Sequence, residues 1–425
     1  MYPAIYSLAS LALSLAISFV DQHYTDVIAD HTSGLFFTNQ ALAQAVLGII
    51  AGAFITIATF TFSTAMVVLT MYSSQFTPRV VENFLSNQTT MKSFGVFLSG
   101  FIFAITSMLL IKTRPSGDLV ISASFGVLYV IVGLIYFLIF INSVSTQIQA
   151  SGLIMRLHKE ATVRIRQYCD FVERASVMTP EELQAKTSDQ PTRDVYSLSD
   201  GYIQEINYIR LQHIAREHDC IICTNKVVGQ FISSETRIIS LYHKGEEKDQ
   251  ETLNEIQQCF LVGNKRTEEQ DFSFTIQKIV EIALKALSPG INDPNTAIHC
   301  LNIIGLLLRD LADNPQGYIV LRSKDTENFV ACEAYDFPIL LYDAYQQISY
   351  YGQADAAVMI GLYKSLRFAK AKASPENLRG IDQYAEHLFA QVQRHGFDPL
   401  AAEKIAKEYI DLIEFRKEVD AAQAE

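Results

Sequence analysis

Four long stretches without a charged residue open the chain, at 1–20, 41–72, 93–111 and 119–142. A helix needs about 20 apolar residues to cross the hydrocarbon core of a bilayer, and each stretch reaches that length or falls one short. The pattern predicts four membrane-spanning helices at those positions. The second, at 32 residues, would run about 48 Å at 1.5 Å per residue, so it must tilt or project beyond the membrane. The first lacks a basic leader and a small-x-small cleavage site, because Ile17-Ser18-Phe19-Val20 runs straight into Asp21. It reads as an uncleaved anchor.

Beyond residue 142 the periodicity changes. Residues 151–200 read as a membrane-proximal helix followed by a polar, poorly patterned linker around 179–199. Short apolar runs at 201–207, 220–226 and 237–242 read as strands, and 208–218 reads as a helix. A helix centred on 254–260 follows, then one at 272–287, a Pro-Gly break, and another from 294 to about 313. Residues 318–323 and 329–333 form a hairpin. Helices at 337–351, 355–373, 375–395 and 399–422 close the chain. Ser374-Pro375 and Asp398-Pro399 each place a capping residue before a proline at the first helical position. The expected fold is a four-span α-helical membrane domain (1–150), a linker (151–200), a large cytosolic α+β domain (201–335) and a helical C-terminal region (336–425).

Charge sharpens the division. Of 80 charged residues, nine fall in the first 150: Asp21, Asp26, Asp30, Arg79, Glu82, Lys92, Lys112, Arg114 and Asp118. The flanks of the spans carry Arg79 and Lys92, then Arg156, Lys159, Arg164 and Arg166, on one side, against Lys112 and Arg114 on the other. The positive-inside rule therefore puts both termini in the cytoplasm of a multi-pass inner-membrane protein. All six cysteines lie after residue 150, which fits reduced thiols in a cytosolic domain. That part carries 30 basic and 41 acidic residues, a balance that argues against a nucleic-acid partner.

Candidate chemistry concentrates in two places. On the second span Gly48, Gly52, Thr56, Thr59, Ser63 and Thr70 fall within an arc of about 80° at 100° per residue. Such a face packs helices closely, as Gly48-x-x-x-Gly52 does in lipid, or it lines a pore where hydroxyls replace ion hydration. Gly52, Thr56, Thr59, Ser63 and Thr70 are the pore-lining candidates. Arg79, just past that span, is either a positive-inside anchor or part of a cytoplasmic mouth. No span contains a central charge, which counts against a proton pump or voltage sensor.

The second place is Ser288-Pro289-Gly290-Ile291-Asn292-Asp293-Pro294-Asn295-Thr296. Pro-Gly forces a turn, and Asp293 is placed to cap the helix that follows. The alternative to a structural turn is a ligand or ion site built on Asn292, Asp293 and Thr296 at a helix N-terminus, with His299 one turn on. Arg266 and Asp271 precede the preceding helix. In a helical hairpin Asp271 lies at the end far from that turn, reaching it only through a neighbouring segment or subunit. Cys220-x-x-Cys223 is discounted as a zinc site: strand positions three apart face opposite ways, and no second pair exists. Asp21, Asp26, Asp30, His23 and His31 read as a solvated acidic loop rather than a metal site. No P-loop, dinucleotide fingerprint, HExxH or GxSxG occurs, so no catalytic residue, metal or cofactor is assigned and an enzyme is the least favoured reading.

Gly48 through Phe62-Ser63, then Ser74-Gln75-Phe76-Thr77-Pro78-Arg79 and Gly95-Val96-Phe97, resemble the membrane half of the DUF2254 family of predicted bacterial membrane proteins. Gly201-Tyr202-Ile203-Gln204, Arg266-Thr267, Gln270-Asp271 and the 286–297 segment resemble its soluble half. Asn295 stands where that family usually has an aromatic, and Val228-Gly229-Gln230 where it usually has Pro-Gly-Asp. The resemblance implies membrane topology and assigns no reaction. The leading expectation is an oligomeric channel or transport protein in the lipid bilayer, with an ion or small molecule as ligand and a cytosolic vestibule or gate. The alternative is a membrane-tethered sensor or scaffold without a conducting pore.

Overall fold

The computed structural model describes residues 2–24, 36–75, 88–111, 119–147, 150–243, 248–322 and 327–424. Two compact units divide the chain, Met1–Gly152 and Leu153–Glu425.

The first unit holds α1 (Tyr2–His23), β1 (Thr38–Asn39), α2 (Gln40–Gln75), α3 (Gln88–Leu110), β2 (Leu119–Val120) and α4 (Ser122–Gln147). All four helices are long and apolar enough to cross a membrane. α3 packs against the other three, which its sequence allows because small residues recur along it. Ser10 of α1 donates to the Ser99 carbonyl at 2.6 Å, and Ser99 in turn meets the Tyr129 hydroxyl at 2.8 Å. Phe54 of α2 is buried between Gly100 of α3 and Gly133 of α4.

The expected fourth span begins three residues early, at 119 against Ser122. Leu119 and Val120 pair with Asn39 and Thr38 as a short ribbon, and α4 starts at Ser122 because Asp21 accepts from the amides of Ile121 (2.7 Å) and Ser122 (3.3 Å). A carboxylate at the exposed N–H groups of a helix start offsets their positive end. Asp21 is thus a buried cap rather than part of a solvated loop. Asp26, Asp30 and His31 lie outside the described residues, as do Lys112 and Arg114.

The second unit begins along α5 (Ala150–Glu173). There follow β3 (Ser176–Met178), α6 (Pro180–Thr187), β4 (Thr192–Tyr196), β5 (Gly201–Ile206), α7 (Tyr208–Glu217), β6 (Cys220–Thr224), β7 (Phe231–Ile232), β8 (Arg237–His243), α8 (Gln250–Gln257) and β9 (Phe260–Gly263). Then come α9 (Phe272–Ala286), α10 (Pro294–Leu311), β10 (Tyr318–Arg322), β11 (Phe329–Glu333), α11 (Phe337–Gly352), α12 (Ala356–Lys370), α13 (Pro375–His395) and α14 (Pro399–Ala424). One sheet runs β3-β10-β11-β6-β8-β4, antiparallel except for the β11–β6 pair, and a second runs β7-β5-β9. Alternation along β6 sends Cys220 and Ile222 into one core and Ile221 and Cys223 into the other, so the two cysteines do face apart. All six cysteines are free thiols.

Two local expectations need correction. The stretch at 179–199 is ordered: Thr179 and Glu182 form a reciprocal capping box that starts α6, and β4 pairs with β8. Phe260 does not end a helix. α8 stops at Gln257, and Phe260 opens β9 opposite Ile206.

Candidate functional site

Three segments far apart in sequence meet around Arg266. Asp271 caps α9 by accepting from the Phe274 amide at 3.0 Å, and it is 1% exposed. Burying a carboxylate is tolerable only with a counter-charge and full hydrogen bonding. Arg266 supplies both: its Nε reaches Oδ2 at 2.8 Å and its Nη2 reaches Oδ1 at 2.9 Å, a bidentate pair. Nη1 also donates to Gln277 (2.8 Å) and Nη2 to Ser273 (2.7 Å). Arg266 also lies over the Phe274 ring at 5.0 Å.

The turn Val227-Val228-Gly229-Gln230 passes directly over this pair. Gly229 has φ +92°, and a Cβ there would strike the Asp271 carboxylate and come within 2.8 Å of Arg266 Nη2. Only glycine satisfies both the left-handed backbone and the close approach. The Gly229 amide donates to the Ile203 carbonyl at 2.8 Å, and Gln230 Oε1 accepts from the Val227 amide at 3.3 Å. Gln230 therefore supplies the acceptor an acidic residue would offer in this turn, without its charge.

Tyr335 ties the turn to the sheet. Its hydroxyl donates to the Val228 carbonyl at 2.8 Å, its amide donates to the Tyr168 hydroxyl at 3.2 Å, and its ring packs on Phe272 at 4.5 Å. Burial pushes the Tyr335 phenol well above its ordinary pKa and the Tyr168 phenol up to about 12. Both stay neutral hydrogen-bonding groups throughout the physiological range.

Two cavities share this wall. One, of about 200 Å³, is bounded by Tyr168 and Phe171 of α5, Tyr208 of α7, Cys332, Glu333 and Tyr335. The other, of about 260 Å³, adjoins it through Glu333 and Tyr335 and reaches Gly229, Arg266, Asp336 and Asp343. Glu333 is half-buried, and desolvation raises its carboxyl pKa against the pull of Lys226.

The other sequence candidates fall elsewhere. Asp293 caps α10 through the Thr296 amide (3.1 Å) and takes the Thr296 hydroxyl (2.6 Å), which holds its pKa below the usual carboxylate range. Asn292 adopts φ +50° in an exposed turn. Asp271 and Asp293 begin consecutive helices that pack as a hairpin, so about 22 Å of α9 separates them at 1.5 Å per residue. His299 lies on α10 near His158 of α5, whose pKa is lowered by burial, with Asp310 opposing. Asp271, Asp293 and His299 do not converge.

On α2, Leu47, Ala51, Phe54 and Ala58 face the other helices of their unit. Gly52, Thr56, Thr59, Ser63 and Thr70 are exposed on the opposite side. Thr56, Thr59 and Thr70 each donate to the carbonyl four residues back, at 2.7–2.9 Å. Among the described residues, a Cβ at Gly52 would meet no atom within 4 Å, whereas one at Gly48 would meet Met108 Sδ at 3.9 Å. Arg79 lies outside the described residues.

A family model described as a predicted membrane protein (DUF2254) matches residues 1–367. A protein of Mycobacterium bovis and one of Mycobacterium tuberculosis, each described as uncharacterized, are 24% identical to the chain over 344 residues. The matches cover 76% of this chain and 63% of those relatives, so the chain spans less than two thirds of their length. No solved structure matches.

Proposed function

This chain belongs to the DUF2254 family of predicted membrane proteins, and we propose that it is an oligomeric ion channel or transport protein of a bacterial inner membrane. In this reading both termini are cytoplasmic and α2 of each subunit lines the path. The second unit serves as a cytosolic vestibule or gate. The carrying observation is the outward face of α2: Gly52, Thr56, Thr59, Ser63 and Thr70 all point away from their own helical unit. Phe54, Phe97 and Phe103 fill the inside of that unit, so a path would run between subunits. Hydroxyls that donate to their own helix backbone turn oxygen lone pairs outward, the group a dehydrating cation needs.

The test is ion flux into liposomes carrying the purified protein. Wild type conducts, and Thr59→Leu or Ser63→Leu lowers flux on the order of tenfold, because a methyl-rich wall offers an ion no replacement for its water. Folded protein that passes no ion, or leucine variants that conduct like wild type, would sink the reading. A second reading, a membrane-tethered small-molecule sensor, is favoured by the aromatic cavity against α5, the helix that follows α4 in the chain after two residues.

A further inference from the structure

We infer that the aromatic cavity between α5, α7 and β11 binds a small organic cation, an amine or quaternary ammonium with an apolar body, and that Glu333 is its counter-charge. The inference is independent of conduction through α2, and either can fail without the other.

The walls set the ligand's body. Four rings bound the space: Tyr168, Phe171, Tyr208 and Tyr335. Phe171 and Tyr208 lie 5.2 Å apart, and Tyr168 and Tyr335 meet edge to face at 5.3 Å and 84°. Ring faces carry negative quadrupole charge and attract cations, most of all those that shed their water easily. At about 200 Å³ the cavity is smaller than drug-sized pockets of roughly 300–1,000 Å³. A single-ring or short-chain ligand fits that scale.

The charges set the sign. Glu333 borders both cavities, and among the described residues its carboxylate makes neither a hydrogen bond nor an ion pair. Glu269 lies on the rim of the first cavity, and Asp336 and Asp343 stand exposed at the lip of the second. The guanidinium of Arg266 is already taken by Asp271. Among the described residues Arg164 is the one cation lining the first cavity, and it is half-exposed and donates to Gln167 at 3.0 Å. An anion would meet the carboxylates of Glu333 and Glu269, offset at Glu333 by Lys226, which stands outside the first cavity's lining. A bare metal ion is poorly served too, since among the described residues no three acidic, histidine or cysteine side chains cluster to hold one.

Calorimetry on the full chain in non-ionic detergent decides the matter with three probes of one shape: benzyltrimethylammonium, benzyl alcohol and benzenesulfonate. The cation binds saturably, on the order of tenfold tighter than the alcohol, and the sulfonate does not bind. Glu333→Gln and Tyr208→Leu each weaken the cation on the order of tenfold. Backbone amides at 164–171 gain hydrogen-exchange protection when the cation is added. Equal binding of the three probes, a preference for the sulfonate, no cation binding at millimolar concentration, or unchanged affinity in both variants would each overturn the assignment. The probe comparison needs only wild-type protein, so it stands even if a variant fails to fold.

Discussion

Asp271→Ala lowers the melting temperature of the second unit by roughly 10 °C. The substitution removes four hydrogen bonds at once, two from Arg266, one from the Ser273 hydroxyl and one from the Phe274 amide. It also strands the Arg266 guanidinium, 19% exposed, over Phe274. Breaking a buried ion pair from one side costs about 3–5 kcal/mol, because the surviving charge keeps its desolvation penalty. For a unit of this size each kcal/mol moves the midpoint by about 2–4 °C. Circular-dichroism melts of the full chain measure the shift, and a variant melting within about 2 °C of wild type refutes it. The paired variant Arg266→Met with Asp271→Asn loses less than the sum of its single changes, since no charge is then left unmet. Gly229→Ala attacks the same cluster from above. It forces a Cβ onto the Asp271 carboxylate at φ +92° and costs about 1–3 kcal/mol.

The second large effect lies among the apolar helices. Gly133→Val displaces α2 from α4, because a Cβ at 133 would stand 2.6 Å from Phe54 Cε1. At Gly100, on the other side of the same ring, a Cβ would stand 2.7 Å from Phe54 Cε2 and Cζ. In lipid there is little hydrophobic gain from joining helices, so close packing carries the association. Overpacking costs about 1–3 kcal/mol, enough to lower the yield of monodisperse protein in detergent and to speed proteolysis. Adding Phe54→Ala to Gly133→Val restores space and recovers part of that loss. If the double variant is no better behaved than Gly133→Val alone, Phe54 is not the clashing group.

Much of the layout is legible along the chain because it depends on local chemistry. Long uncharged stretches mark the four apolar helices to within a few residues. Cap-and-proline pairs at Asp293-Pro294, Ser374-Pro375 and Asp398-Pro399 begin helices where expected. Thr179-Pro180-Glu181-Glu182 carries the same kind of signal and starts α6; the polar composition around it hid the pattern. β3, β7 and β9 have two to four residues each, too few for alternation to register.

The candidate site was legible only in fragments. Arg266 and Asp271 stand out by residue type, but their pairing does not, and Asp293 and His299 stand out without belonging to it. Gly229 stands out only as the glycine of a turn where the family usually has Pro-Gly-Asp; its role comes from what lies beneath it. Tyr168, Tyr208, Glu333 and Tyr335 carry no signal, since separated aromatic and acidic residues are ordinary in any sequence.

By itself the sequence determined the partition into an apolar helical unit and a charged α/β unit, most element boundaries, and the small, hydroxylated stripe on the second helix. Local quantities settle these: charge density, periodicity and capping chemistry act over one or two turns. Only the tertiary structure decided that the stripe faces away from its own unit, that Asp271 is satisfied by Arg266 beneath Gly229, and that four rings and Glu333 line one cavity. Those outcomes depend on which distant surfaces pack together, a choice made by shape and buried area between segments up to 167 residues apart, such as Tyr168 and Tyr335, and not by the neighbours of either residue in the chain.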